Sequence, residues 1–472
     1  MLTLAAGHYA GIAIVVVMMT LVGLYSGRRV KAAVDFSTGG RKAGWPVVGG
    51  AIMGTLVGAS STIGTAQLAF QFGFSAWWFT LGAGIGCLVL GLGLARRLFE
   101  SQIETIPQYL VKSYGTAVGP ISSIFTSLGT FFSIVATVLA LMALMGAMFH
   151  LGGPAASSIA LLMMLSYVLF GGIWGTGLTG IVKVGLLYVT MIICGVSSYL
   201  WMGGVAGLTH QLPAYPWFSL FGRGMGKDLA AAFSLLLGVV STQTYVQAVV
   251  SGKSLQAARN GALASAILIP PLGLGGVLVG LFMRTHFPNT PSSQVFPIFV
   301  MKFLPPVTSG VVLATLIITG VAGWSGMALG ITTTLTRDIY QKFFRPKASS
   351  REALLIQRLL LAALGVLAVV VANGNAGSLI LAWGFLSMGM RGCTAAFPLA
   401  AAMFFSRYVT PKAGVAATLL GPLTNFVWYL AFPKGMDPLY PGLAAGLLCL
   451  IVVSAFTRKP VVEAAAPARA VR

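Results

Sequence analysis

A chain of 472 residues that is 57% apolar and only 8% charged, with a mean hydropathy of +0.91, has too little polar surface to fold in water; soluble domains carry roughly 25% charged residues. The net charge of +21 would suit a nucleic-acid binder, but in a membrane protein basic residues collect in the cytoplasmic loops, and that distribution is what the sequence shows. In lipid only helices and closed barrels satisfy every backbone group, and the apolar runs here are continuous over about 20 residues rather than alternating, which selects an all-α polytopic bundle.

In chain order the apolar runs predict about thirteen transmembrane helices, near residues 8–26, 45–72, 74–95, 119–149, 154–171, 177–202, 228–250, 261–283, 306–336, 352–372, 377–405, 413–432 and 440–457. The first has no basic lead-in and no small-residue cleavage site after it, so a retained helix is expected rather than a signal peptide. Cys87, Cys194, Cys393 and Cys449 fall inside spans at no metal-like spacing and are expected to pack. If the N-terminus is outside and the C-terminus cytoplasmic, the outer loops hold Arg223, Lys227, Arg284, Lys302 and Lys434, and nearly all the rest of the 29 Lys and Arg lie in the inner loops and tail. That asymmetry predicts a multi-pass protein of a cell inner (plasma) membrane. Residues 1–460 read as a single transmembrane domain with a core at about 45–405, and 461–472 as a disordered cytoplasmic tail rich in Ala, Pro and Arg.

With no extramembrane domain predicted, function is expected inside the bundle. Transporters place their sites near the bilayer midplane, on helices broken at corresponding positions of two inverted repeats. Two spans suit such a pair: the second, carrying Gly49-Gly50 through Gly54, Val57-Gly58, Ser60-Ser61-Thr62 and Gly64, and the seventh, carrying Leu237-Gly238 through Ser241-Thr242-Gln243. Five spans separate their starts, the spacing that repeats of five helices require.

Short motifs follow in order along the chain. Asp35-Phe36 precedes Gly39-Gly40-Arg41 and Gly44-Trp45; Thr105-Ile106-Pro107-Gln108-Tyr109-Leu110 precedes Tyr114-Gly115; Tyr167 precedes Gly171-Gly172. Further on stand Gln247 with Lys253-Ser254, Asp338-Ile339-Tyr340, and Arg407-Tyr408-Val409-Thr410-Pro411-Lys412-Ala413-Gly414. At this spacing, from residue 35 to about 425, the sequence resembles the sodium:solute symporter family. The resemblance implies a leucine-transporter-type fold, a 5+5 inverted repeat with one leading and two trailing helices. It also implies a symporter that works by alternating access, moving a small solute with sodium as the coupling ion and no other cofactor.

In that family sodium lies between core helices 1 and 8, held by carbonyls of the broken helix and by paired hydroxyls fifteen residues before the Asp of the Asp-Ile-Tyr motif. Carried over, the carbonyls fall on Gly54 and Val57, whereas the hydroxyl pair falls on Ala322 and Gly323, which have none to offer a hard cation. Ser325 stands where some members build a second sodium site, and a shift of register would bring Ser325 or Thr319 into play. Core helix 5 departs as well: Thr179 is followed by Gly180, and Lys183 replaces the family's Gln. Gly180 and Lys183 share a helix face, so the amine could reach the space a sodium ion would fill. An amine also takes up and releases a proton, which would make Lys183 a coupling group. The alternative is that Lys183 snorkels to the cytoplasmic interface.

Arg391, in Met388-Gly389-Met390-Arg391-Gly392, is the other ionisable residue well inside a span. Charge at such depth usually faces a cavity or a partner. A forked grip on a substrate carboxylate is one expectation, and capping a neighbouring helix is the other. Ser60, Ser61 and Thr62 follow the presumed break of core helix 1, where free N–H groups favour an anion, although such hydroxyls also bond to the preceding turn. Thr242 and Gln243 stay polar at the presumed break of core helix 6. The sugar-recognition positions of the family fall on Leu235 and Gly238, which disfavours a sugar and leaves a carboxylate or an amino acid as the expected solute. The eight acids all lie in loops or at span ends. There is no nucleotide loop and no His/Cys/acid cluster at ligand spacing, so enzymatic chemistry is not expected. A proton-coupled or uncoupled transporter, and a transporter-like solute sensor, stand as alternatives, and self-association into a homo-oligomer is left open.

Overall fold

The computed structural model describes residues 3–27, 41–101, 105–171 and 178–457. The motif residues Asp35, Phe36, Gly39, Gly40 and Gly172, the side chains of Tyr167, Thr179 and Asp338, and the expected tail at 461–472 lie outside the described residues.

The described chain is helical throughout. Its principal helices are α1 (Ala6–Gly27), α2 (Trp45–Leu56), α3 (Ala59–Phe72), α4 (Trp78–Val89), α5 (Ile106–Tyr114), α6 (Val118–Phe149), α7 (Gly153–Gly171), α8 (Leu178–Trp201), α9 (Met225–Val240), α10 (Gln243–Val250), α11 (Leu255–His286), α12 (Val295–Phe303), α13 (Pro306–Thr334), α14 (Ser350–Gly374), α15 (Ile380–Phe404), α16 (Pro411–Ala431) and α17 (Leu439–Thr457). Each of the expected spans coincides with a helix or a helix pair. By length and apolarity alone, 8 stretches among the described residues can cross a membrane, or 9 when α9 and α10, bent by 46°, count as one. The other expected spans are shorter, interrupted or less apolar.

The motifs are mostly helix signals. Thr105 caps α5 by accepting from Gln108 N (3.2 Å), Ser254 caps α11 by accepting from Ala257 N (3.1 Å), and Thr410 caps α16 by accepting from Ala413 N (3.4 Å). Each satisfies one N–H that the first turn leaves free. On the same side of the bundle Ala43, just ahead of α2, pairs with the chain leaving α10: Ala43 N donates to Ser251 O and Lys253 N to Ala43 O. The two halves of the repeat are thereby tied at the basic face.

Burial separates an inner bundle from a lipid-facing shell. In α14 only Leu361, Gly365, Ala368 and Ala372 are buried, a single stripe, while Leu354, Leu355, Leu359, Val366, Leu367 and Val370 are exposed. An apolar helix bare on most of its circumference is stable only in lipid. At the centre, α3 packs on α11, α9 on α4 and α15, and α6 on α13 and α15. Small residues permit the close approaches. A Cβ on Gly280 would stand 2.6 Å from Ala66 O, and one on Gly50 would stand 2.8 Å from Ile181 Cγ1. This is how membrane helices associate without a hydrophobic driving force between them.

Candidate functional site

Both expected breaks are present. Between α2 and α3, Val57 (φ −103°, ψ 120°) and Gly58 (φ −155°, ψ −164°) are extended. Gly58 N turns to Ser61 Oγ (2.9 Å) instead of back along the helix to Gly54 O. Ser61 Oγ and Thr62 Oγ1 in turn donate to Gly58 O at 2.8 and 2.9 Å. The Gly54 carbonyl, deprived of its helical donor, accepts from Lys183 Nζ at 2.7 Å.

Lys183 is 6% exposed, so its amine turns into the bundle and does not snorkel. The route inward is set by glycine: a Cβ on Gly54 would stand 3.5 Å from Gly180 Cα, so α8 lies directly against α2. Across the break stands α13. A Cβ on Gly58 would lie 3.6 Å from Thr319 O, and one on Gly323 would lie 4.0 Å from Lys183 Nζ. Position 323, counted from the Asp-Ile-Tyr motif, therefore faces the amine, and the amine lies between the broken helix and α13. Ala322 beside it brings no hydroxyl. Ser325 and Thr319 are buried, and each donates to a carbonyl of its own helix, Val321 O (2.7 Å) and Leu316 O (3.1 Å).

The second break falls at Ser241 and Thr242, between α9 and α10. Arg391, 5% exposed on α15, reaches it. Its Nη1 donates to Thr242 Oγ1 (2.9 Å), Nη2 to Ser133 Oγ on α6 (3.1 Å) and to Ser387 Oγ (2.8 Å), and Nε to Ser387 O (3.3 Å). Ser387 Oγ lies 2.6 Å from Ser133 Oγ and donates to Gly129 O (2.5 Å); Thr242 Oγ1 donates to Gly238 O (2.6 Å). The guanidinium thus joins three elements through hydroxyls, none of which carries a countercharge. A guanidinium has five N–H donors, and one on Nη1 is left over. Beside Thr242, Ser241 Oγ is buried with no partner among the described residues.

The remaining candidates divide. Ser60, half-buried just past the first break, makes no side-chain hydrogen bond among the described residues. Gln243 Oε1 accepts from Ile106 N (2.9 Å), which fastens α10 to the start of α5 at the basic face. At the opposite end Gln67 Oε1 accepts from Ile380 N (2.9 Å) and its Nε2 donates to Ser378 O (3.3 Å), fastening α3 to the start of α15. Near that end a cavity of about 210 Å³ is lined by Leu139, Met142, Gly146, Gln294, Ser378 and Ile380 among others. At 1.5 Å per helical residue, its nearest α6 residue lies about 9 Å from Ser133 along the helix axis. Ser133, Ser241, Ser387 and Gln67 were not among the sequence-level candidates. For Ser387 a signal existed, because it stands four residues before Arg391, on the same helix face.

Two interrupted helices whose breaks each receive a buried cation, inside a bundle with a lipid-facing shell, define a membrane transporter of the broken-helix class rather than an enzyme. The comparisons with known proteins agree. The chain belongs to the sodium:solute symporter family, which it matches over residues 36–421. It is similar to the osmoregulated proline transporter of Bacillus subtilis, 26% identical, with 94% of each chain covered. It is also similar to the sodium/proline symporter of Haemophilus influenzae, 22% identical, over 94% of this chain and 93% of the relative. In fold it resembles a Na+-coupled sialic acid symporter solved substrate-bound and outward-open, with a TM-score of 0.74 at 16% identity over 96% of this chain and 98% of that one. The protein is therefore a multi-pass solute symporter of a sodium-coupled family, with a leucine-transporter-type fold.

Proposed function

We propose that this symporter carries a small organic solute bearing a carboxylate inward across the plasma membrane, with Arg391 as the group that receives the carboxylate. The observation that carries the reading is a buried guanidinium whose polar partners are the neutral Thr242, Ser133 and Ser387. An unneutralised charge in a low-dielectric interior costs several kcal/mol, and a substrate anion would offset that cost when it binds. Hydroxyl partners can yield to a carboxylate, whereas a resident carboxylate would compete with it. Ser60, Ser241 and Thr242 supply further polar contacts, and the cavity beside Gln67 is the route of access. The proline carriers among the relatives make an amino acid one candidate solute. The basic face is taken as cytoplasmic, with thirteen crossings, the N-terminus outside and the C-terminus inside.

Family membership supports sodium as the coupling ion. A second reading of the coupling step rests on the 2.7 Å contact of Lys183 Nζ with Gly54 O, opposite Gly323. In this reading the lysine ammonium takes the place of the ion at that position, and transport is driven by protons or runs uncoupled. Uptake of labelled carboxylates and amino acids into liposomes containing the purified protein tests both. Accumulation driven by an inward sodium gradient alone supports sodium symport; accumulation driven by an inward proton gradient and lost in Lys183→Gln supports the second reading. Binding without uptake under either gradient would contradict transport and favour a sensor.

A further inference from the structure

We infer that the solute held at Arg391 is a carboxylate that carries no ammonium group, a simple organic acid anion rather than an amino acid. The inference rests on the reading of Arg391 as the carboxylate site and narrows it by asking what a second, positive end of the solute would meet.

The charges at the two breaks are of one sign. Among the described residues, Lys183 and Arg391 are the charged side chains at the two breaks, and both are cations. The ion pairs among the described residues are Arg96 with Glu100, which is exposed, and Arg223 with Asp228 in the first turn of α9. Asp228 is fully buried, but both of its carboxylate oxygens are taken by Arg223: Oδ2 by the backbone N and Oδ1 by the guanidinium. No acid described at the breaks is left for an ammonium. Like charges in a poorly screened interior repel strongly, so an ammonium close to Arg391 and Lys183 would be penalised and a carboxylate favoured.

Neutral acceptors could still hold an ammonium, because helix breaks expose carbonyls. Here several of them are spent. Gly54 O is occupied by Lys183 Nζ, and Gly58 O by Ser61 Oγ, Thr62 Oγ1 and Thr62 N. At the second break Gly238 O accepts from Thr242 Oγ1 and Ser241 N, and Val239 O accepts from Thr242 N. Val57 O makes no hydrogen bond of this kind, but it stands one turn from the carbonyl that Lys183 already holds. The groups with capacity to spare are one N–H of Arg391 Nη1, which can only donate, and the hydroxyls of Ser241 and Ser60, each of which can donate to an anion. Two cations and no described acid at the breaks fit an anion without a positive end.

The test uses the purified full chain in detergent at pH 7 and reads the unfolding temperature against concentration for pairs that differ only by the amine. Suitable pairs are propionate and alanine, cyclopentanecarboxylate and proline, and 3-phenylpropionate and phenylalanine, with the primary amide of each acid as a neutral control. A ligand that binds only the folded state raises its stability by mass action. The expected result is that, in the pair whose skeleton fits, the acid stabilises at a concentration at least tenfold below that of the amino acid, and the amide does not stabilise. Amino acids that match or exceed their acids would overturn the inference and leave the role of Arg391 standing. Amides that match the acids would overturn the Arg391 reading itself. A panel in which no acid stabilises would overturn both.

Discussion

The two helix breaks carry the same kind of device and use it differently. At the first, a lysine on α8 meets the broken helix through one hydrogen bond, to Gly54 O, and faces a glycine across the gap. At the second, an arginine on α15 is held by Thr242, Ser133 and Ser387 from three elements. A compact ammonium on a flexible stem, held at one point, can leave and return. A planar guanidinium gripped along both edges stays where it is. The difference is what the proposed roles rest on: an ion-like part for Lys183 at the first break and a substrate-receiving part for Arg391 at the second.

The largest expected effect is at the fixed site. Arg391→Ala removes the countercharge for the solute, and hydrogen bonds to charged groups are worth about 1.5–3 kcal/mol, so carboxylate affinity should fall on the order of a hundredfold in a thermal-shift titration. Arg391→Lys keeps the charge but loses the planar fork and should weaken the carboxylate less than Arg391→Ala does; unchanged carboxylate affinity in both variants would reassign Arg391 to a structural role.

Packing should distinguish the breaks next. A Cβ on Gly238 would lie 2.6 Å from Met388 Cβ and 2.9 Å from Met388 Cα, contacts that need backbone movement. Gly238→Ala should therefore cost about 1–3 kcal/mol, the usual penalty for overpacking. A Cβ on Gly323 meets only Lys183 Nζ, at 4.0 Å, so Gly323→Ala should stay within about 0.5 kcal/mol. Equal losses measured by chemical unfolding would mean that the first break is as tightly held as the second.

The smallest change is also the most specific. Lys183→Gln combined with Ala322→Ser and Gly323→Thr removes the amine and restores the hydroxyl pair that a hard cation needs. A sodium-specific rise in unfolding temperature of a few degrees is expected in this triple variant, and not in Lys183→Gln alone.

Much of this was readable in the sequence, and the reasons are physical. Gly and Ser/Thr clusters in two spans five apart marked the breaks, and Lys183 and Arg391 stood out because charge is rare at that depth. The register that puts Gly323 opposite the amine followed from counting back from Asp338. What was not readable was direction. Whether Lys183 turns inward or snorkels depends on how closely α8 approaches α2, which Gly54 and Gly180 allow and periodicity does not reveal. Ser61 and Thr62 spend their hydroxyls on Gly58 O, a local geometry that only the break creates. Gln243 and Gln67 act on backbone groups more than 130 residues away in sequence, Ile106 N and Ile380 N, and nothing in the local sequence announces such partners. Helices α5 and α12, of 9 residues each, are too short to register as spans.

The account turns on the amine at the first break. Its most direct test is the unfolding temperature of the purified protein in sodium against potassium or choline at matched ionic strength, over a series of pH values, for the wild type and Lys183→Gln. The lysine reading predicts no sodium-specific stabilisation of the wild type, together with a dependence on pH that Lys183→Gln abolishes. A saturable, sodium-specific rise in the wild type, unchanged by pH and retained in Lys183→Gln, would contradict that reading and support sodium as the coupling ion, as family membership does.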